Sequence, residues 1–349
     1  MATTRHRPPL GRRQLAGTAL ALALIGLLLL GLDTAAVATA IAGSDPTLVA
    51  GTVVTALAAQ LVWSLTTVTL LTAADSGLPP YRVQLGYLSG TFGKQILPLG
   101  TVSGTAIMAY VIAEDLDRQF RDVFAPVAAS ELLIFGSSLG VAVLGLVGLV
   151  ADPRAGVGGP MVLALAAGVT LVLVVGVALV AYRRAVLGRA VVGVAGAVHG
   201  LVAPVSERLA RHTHPDSVAP HVDSFLAGFG AATGDERRIA VGASLAVLGW
   251  LTLSLALYSG LAAVGVTVPF ALALFLAPAS GLATLLPTPG GLGGSEVGLT
   301  AVLTLLTGAG AEQAAAGVLL YRLATYWLVL SIGGLATAYL SASIWRVLE

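Results

Sequence analysis

Four ionisable side chains lie within long apolar stretches of this sequence: Lys94, Glu131, Glu296 and Arg322. A charge that faces lipid costs several kcal/mol, so residues of this kind usually face the protein interior and mark substrate or ion sites. We expect Glu296 to pair with Arg322, and Lys94 to pair with Glu131 or across the two halves of the chain. The planar fork of Arg322 also suits a lipid phosphate.

A structural interpretation stands beside the functional one for each of these residues. Buried ion pairs also fix the register of helices, and Lys94 lies near enough to a helix break for its ammonium to reach lipid headgroups. Around Arg322 lie Tyr321, Tyr326 and Trp327, which are interpreted as packing or interfacial aromatics rather than a cofactor box. Tyr321 is also a candidate contact to the substrate. The predicted substrate-binding set is therefore Glu296, Arg322, Lys94, Glu131 and Tyr321.

The stretch that carries Glu296 cannot be a continuous helix. It runs from Leu286 to Glu296 between long apolar runs, and it is rich in proline and glycine. Proline lacks an amide proton, and non-helical backbone at membrane depth persists only where protein or water satisfies its polar groups. A broken helix is typical of transporter binding sites, and Glu296 would lie in the first turn of its returning half. The predicted turn residues are Pro287, Pro289, Gly290, Gly291 and Gly293.

A second break is predicted in the first half of the chain, over 85–112. Its turn residues are Pro98 and Gly100, which follow Lys94 closely. Each half thus contains a Leu-Pro break that is followed, at a similar distance, by a span with one charge, Glu131 or Arg322. This pattern is typical of the inverted repeats of secondary transporters.

The composition places the chain in a membrane. Of its 349 residues 57% are hydrophobic and 10% are charged, against about 25% charged in soluble domains. The formal net charge of +1 argues neither for nor against a nucleic-acid partner, but the sequence has no basic, aromatic-laced surface, so no such partner is predicted. Cysteine is absent, which excludes disulfides and thiolate chemistry. No motif predicts a cofactor, a metal site or a catalytic residue.

We predict an all-α polytopic protein with about six full spans and two re-entrant broken hairpins of opposite orientation. The predicted organisation is a cytoplasmic basic tail over 1–13 and two membrane repeats over 14–150 and 151–349. The second repeat includes an arginine-rich cytoplasmic segment, 183–238, and a broken hairpin, 268–307. The predicted spans are about Leu15–Leu32, Leu48–Ala74, Val123–Val150, Met161–Tyr182, Ile239–Val264 and Ala314–Leu340. The stretch from Asp33 to Pro46 is predicted to be a short outer loop.

The distribution of arginine predicts the orientation. If 85–112 crossed the membrane fully, the segment 183–238 would lie outside, against the positive-inside rule. If it is a hairpin that enters and leaves on the cytoplasmic side, that segment lies in the cytoplasm. If 268–307 is likewise a hairpin from the outer side, the C-terminus also lies in the cytoplasm, where the basic tail places the N-terminus. The expected location is the plasma membrane.

The C-terminal motif carries a family resemblance. Pro287-Thr288-Pro289-Gly290-Gly291-Leu292-Gly293-Gly294-Ser295-Glu296, followed by Leu320-Tyr321-Arg322-Leu323-Ala324-Thr325-Tyr326-Trp327, resembles the lysylphosphatidylglycerol synthase transmembrane-region family, also called the flippase-like domain family. The resemblance covers nearly the whole chain. In bacterial synthases of this family the membrane domain is associated with moving the modified lipid between leaflets. The first hairpin departs from the family pattern, because Pro98–Gly104 lacks its acidic and arginine pair, so the substrate is expected to differ.

The resemblance implies a stand-alone lipid flippase or scramblase without the synthase domain. The expected substrate is an anionic or amine-bearing phospholipid or a polyprenyl-linked intermediate. Two alternatives stay open: an intramembrane transferase acting on lipid headgroups, and a non-transporting partner of a separate lipid-modifying enzyme. A second copy of the chain or such an enzyme is the candidate protein partner.

Overall fold

The computed structural model describes residues 12–97, 100–151, 168, 171, 225–286 and 288–348, and these residues contain helices and no strand. Between the described helices 225–232 forms a further helical segment. The helices named in the text are α1 (Arg12–Leu30), α2 (Thr34–Ala42), α3 (Pro46–Ala74), α4 (Pro80–Ile96), α5 (Gly100–Asp115), α6 (Phe120–Ala151), α7 (Glu236–Ala263), α8 (Phe270–Ser280), α9 (Gly294–Thr307), α10 (Ala311–Arg322) and α11 (Leu328–Leu348).

Four of the described helices are long and apolar enough to cross a membrane. They are Pro46–Ala73, Phe120–Ala151, Glu236–Ala263 and Ala311–Ser341, the last formed by α10 and α11 with the turn of π-helix between them. These four correspond to predicted spans, which confirms the all-helical membrane class. The predicted span Met161–Tyr182 and most of the segment 183–238 lie outside the described residues.

The N-terminal part differs from the prediction in one respect. The stretch after the first helix was expected to be a short outer loop, but Thr34–Ala42 forms α2. The carboxylate of Asp33 caps this helix by accepting from the amides of Ala35 and Ala36 at 2.9 and 3.2 Å. Its alanines and the capping aspartate both favour a helix in this short stretch.

Two antiparallel helices, α3 and α7, form the centre of the bundle. The amide of Asp45 donates to the carbonyl of Ala263 at one end, at 2.9 Å. Nearer the other end the indole of Trp63 donates to the carbonyl of Ala246 at 3.2 Å. Because Gly249 has no side chain, the Trp63 ring lies against its backbone. We call the two ends of the bundle its faces: one face lies at the start of α3 and the other at the end of α3.

Helices α4 and α5 form an antiparallel pair that we call the first hairpin. Gly86 faces Ile112 and Gly90 faces Met108, so the two helices lie in close contact along their length. Both ends of this hairpin lie at one face of the bundle. Arg82 pairs with Asp115 at its base, at 3.2 Å.

The same face contains the end of α3 and the start of α6. Arg118 donates to Asp75 at 2.9 Å, and this contact holds the pKa of the Asp75 carboxyl below its ordinary value. Helix α11 runs antiparallel to α4, since Ser89 and Thr337 share a hydrogen bond of 2.7 Å and, further along α4, Phe92 lies against Gly333. The end of α11 therefore lies at this face too.

The stretch from Phe270 to Thr307 forms the second hairpin. It consists of α8, a 3-10 turn over Gly281–Leu285, a second 3-10 turn over Pro289–Gly291, and α9. Its two ends lie at the face opposite to the base of the first hairpin, because α8 follows α7 after a short connection and α9 leads directly into α10. The number of full spans and the entry of both hairpins into a bilayer stay predictions.

Close contact between α6 and α8 fixes the first limb of the second hairpin. A Cβ atom at Gly145 would lie 2.6 Å from the amide nitrogen of Phe275 and 2.7 Å from the carbonyl oxygen of Ala271. These are backbone atoms, which cannot move aside as a side-chain end can. Gly140, in the same helix, has no neighbouring atom within 4 Å of such a Cβ.

We expect Gly145→Ala to lower the free energy of unfolding by about 1–3 kcal/mol, because the methyl group would force α6 and α8 apart. Gly140→Ala is the matched control and should be neutral or slightly stabilising, since alanine favours helix over glycine. Thermal unfolding of the detergent-solubilised variants measures both. Equal midpoints for the two variants would contradict the contact.

Candidate functional site

A pair of buried charges joins the second hairpin to α10. Arg322 Nε donates to Glu296 Oε1 at 2.7 Å, and the two side chains are 12% and 5% exposed. We call this contact the central ion pair. Arg322 Nη2 also reaches the carbonyl oxygen of Gly290 at 3.4 Å. One arginine thus connects α10 to both the turn and the returning helix of the second hairpin.

The turn geometry positions Glu296 for this contact. Gly290, Gly291 and Gly293 have φ angles of 53°, 70° and 82°, in the left-handed region that favours glycine. They reverse the chain so that α9 begins at Gly294. The second carboxylate oxygen of Glu296 then accepts the amide proton of Gly293 at 2.7 Å. Glu296 is therefore a helix cap and an ion-pair partner at once.

An aromatic ring covers the other side of Arg322. The guanidinium carbon lies 4.9 Å from the centre of the Tyr326 ring, within the range of a cation–π contact. Tyr326 lies in a turn of π-helix over Leu323–Trp327. Turns of this kind are rare and frequently occur at functional sites.

A second pair lies on the first hairpin, and we call it the lateral ion pair. Lys94 Nζ lies 2.6 Å from Glu131 Oε2, with side chains 19% and 17% exposed. Gly104 makes this contact feasible, because a Cβ there would overlap the Lys94 stem. The Lys94 ammonium is also 5.9 Å from the Tyr87 ring centre. Glu131 Oε1 is buried and has no hydrogen-bond partner among the described residues.

The tips of the two hairpins contact each other next to these pairs, beside the turn of π-helix that contains Tyr326. The hydroxyl of Tyr326 donates to the carbonyl oxygen of Gln95 at 3.2 Å, and Gln95 Nε2 donates to the carbonyl of Thr325 at 3.4 Å. A Cβ at Gly290 would lie 3.2 Å from the Gln95 oxygen and would overlap the Tyr326 ring. The last turn of α4 is therefore joined to the turn of the second hairpin.

The remaining predicted residues have different positions. Tyr321 is 3% exposed and lies beside Ser280 of α8, so it packs between α10 and the second hairpin. Gly100 is the first residue of α5, and Pro289 begins the second 3-10 turn. Pro98 and Pro287 lie outside the described residues. A role of any of these residues in binding a substrate stays a prediction.

Sequence reasoning did not single out Gln95, and it interpreted Tyr326 as packing. The spacing of four between Arg322 and Tyr326 was a usable signal, since residues four apart on a helix are neighbours. Nothing in the sequence indicated Gln95, because its partners lie about 230 positions away in the chain.

Comparison with known protein families identifies the chain. Residues 14–333 match the family model described as the lysylphosphatidylglycerol synthase TM region. The chain belongs to this family. The match contains both hairpins and both ion pairs, and it indicates a membrane protein with a lipid-related function. A comparison with curated proteins gives no match. Among the described residues no group of three or more His, Cys, Asp or Glu side chains has the arrangement of a metal site.

Two substitutions separate the cap made by Glu296 from its ion pair. Glu296→Gln removes the charge but keeps an oxygen for the Gly293 amide, whereas Glu296→Ala removes both. We expect Glu296→Ala to lower the free energy of unfolding by about 1 kcal/mol more than Glu296→Gln, the usual contribution of a helix cap. Thermal unfolding in detergent provides the measurement.

Glu236 is the control for this comparison. It also lies in the first turn of a helix, α7, but it is exposed. Its Ala and Gln variants should differ by less than about 0.5 kcal/mol, as exposed substitutions usually do. A difference at Glu296 no larger than that at Glu236 would show that the cap contributes nothing.

Proposed function

We propose that this protein moves a phospholipid or a polyprenyl-linked lipid between membrane leaflets, as a flippase or scramblase. The observation that carries the proposal is the central ion pair, which is buried beside a broken helix and within contact of the other hairpin. A pair in this position is typical of a polar path for a headgroup, whereas an isolated structural pair would not require two broken helices.

The membrane topology is part of the proposal. The two hairpins would enter from opposite sides and meet in the interior, in an inverted repeat with about six full spans. In this topology the ion pairs would have matching depths, since Glu131 and Arg322 each lie eleven residues after the start of α6 or α10. At 1.5 Å per residue this is about 16 Å, close to the middle of an apolar layer of about 30 Å.

Arg322 is the proposed ligand for the headgroup phosphate. Its Nε is used by Glu296 and its Nη2 makes one long contact, but Nη1 makes no hydrogen bond with the described residues. Glu296 would orient the guanidinium, and Tyr326 would support its other side. The lateral ion pair would contribute a second contact. Movement would be passive or driven by an ion gradient, in the plasma membrane.

A second candidate is a non-transporting partner of a separate lipid-modifying enzyme. One observation favours it: both carboxylate oxygens of Glu296 have partners within the protein, and the residue is only 4% exposed. A carboxylate with a purely structural role would have both of its oxygens bonded within the protein in this way. A leaflet-exchange measurement distinguishes the two candidates.

We expect Arg322→Lys to slow lipid movement roughly tenfold or more. Lysine keeps the positive charge but lacks the fork, so it cannot pair with Glu296 and bind a phosphate together. Purified protein in liposomes with fluorescent phospholipids of several headgroups gives the rate, with Arg322→Ala and Glu296→Gln measured in parallel.

Arg121→Lys is the matched control for this variant, because Arg121 is 69% exposed at the start of α6. It should move lipid at the native rate. Native rates in well-folded Arg322→Lys and Glu296→Gln variants would refute a role of the central ion pair in transport. Movement of no lipid by the native protein would favour the partner role.

A further inference from the structure

The positive and negative charges of the described residues inside the bundle are equal in number. Among the described residues four ionisable side chains lie away from the two faces and form ion pairs, and these pairs are Lys94 with Glu131 and Arg322 with Glu296. The site therefore has no net charge before a substrate arrives. A substrate with a net charge would leave that charge uncompensated in a medium of low dielectric, which is costly.

The two pairs differ in which partner, the cation or the carboxylate, has unused hydrogen-bonding capacity. In the central ion pair both carboxylate oxygens have a partner, whereas Arg322 Nη1 makes no hydrogen bond with the described residues. In the lateral ion pair the carboxylate is the unsatisfied partner, because Glu131 Oε1 is buried without a hydrogen bond. One site thus offers donors to an anion, and the other offers an acceptor to a cation.

These two sites flank the contact between the hairpins. Lys94 precedes Gln95, whose carbonyl accepts the hydroxyl proton of Tyr326. The ring of Tyr326 lies against the guanidinium of Arg322. The unused donors and the unused acceptor are therefore separated by the last turn of α4 and one tyrosine.

We propose that the headgroup for this site is zwitterionic, with one phosphate and one primary ammonium group. This inference rests on the proposed lipid transport and specifies its substrate class. Arg322 binds the phosphate, and Glu131 accepts hydrogen bonds from the ammonium. Lys94, released from part of its contact with Glu131, turns towards the phosphate. The occupied site keeps its net charge of zero.

Other headgroups lack one of these features. A headgroup with a phosphate alone adds one negative charge to the site and leaves Glu131 Oε1 without a donor. A choline headgroup has the same charges as an ethanolamine headgroup, but its quaternary nitrogen has no proton to donate. Comparison of the three separates the contribution of charge balance from that of the hydrogen bond.

The experiment measures leaflet exchange in proteoliposomes of one bulk lipid. Three tracer phospholipids with identical fluorescent acyl chains carry ethanolamine, choline or glycerol headgroups. We expect ethanolamine to move fastest, choline to be intermediate, and glycerol to be slower than ethanolamine by roughly tenfold. Equal rates, or fastest movement of the glycerol lipid, would overturn the inference and leave lipid transport standing. If none of the tracers moves, the proposed transport itself fails.

A charge change at the lateral ion pair gives an independent readout. Glu131→Gln leaves the site with one extra positive charge, so the preference should shift from the ethanolamine to the glycerol lipid by roughly tenfold in their rate ratio. Asp122→Asn, at an exposed position near the start of the same helix, should leave the ratio unchanged. The double variant Lys94→Met/Glu131→Gln loses one positive and one negative charge, so its site again has no net charge. Its rate ratio should therefore not show the shift seen in Glu131→Gln.

A purely structural role of the lateral ion pair predicts a different result. Glu131→Gln and the double variant would then lower the rates of all three lipids in proportion, and the ratio between the ethanolamine and glycerol rates would not change. This outcome would overturn the role of Glu131 in headgroup selection. If the variants do not fold, the three-lipid comparison on the native protein decides the inference by itself.

Discussion

The carboxylate of Glu296 accepts hydrogen bonds from two groups at the point where the second hairpin reverses. It accepts the amide of Gly293, at the start of a half-helix, and the guanidinium of Arg322. Without water, an unpaired amide and an unpaired cation would each cost several kcal/mol. A single side chain that serves both allows the helix to break inside the bundle, and the other contacts of the site depend on that break.

The rest of the fold holds the two breaks against each other. Helices α3 and α7 form an antiparallel centre, and α11 lies along α4 of the first hairpin. The hairpins have their ends at opposite faces of the bundle, so their tips are the parts that meet. This contact consists of a few hydrogen bonds and one aromatic ring. It is limited compared with the helix–helix contacts around it.

Much of this arrangement was predictable from local pattern. Proline and glycine inside apolar runs predicted both helix breaks, and the rarity of charge identified the four residues that form the central and lateral ion pairs. The outer connection was predicted less well, since α2 replaced an expected loop. Pairing of Lys94 with Glu131, rather than across the two halves, was left open, and it depends on the space that Gly104 provides beside the lysine stem.

The sequence by itself determined the membrane class, the family, the two helix breaks and the identity of the buried charges, because hydropathy, proline and the cost of burying charge act locally. The tertiary structure alone decided which groups meet. Gln95 and Tyr326 join the tip of the first hairpin to the π-helical turn after α10 although about 230 residues separate them, and that turn places the Tyr326 ring on Arg322. Contacts of this kind follow from the packing of whole helices, and no local pattern records them.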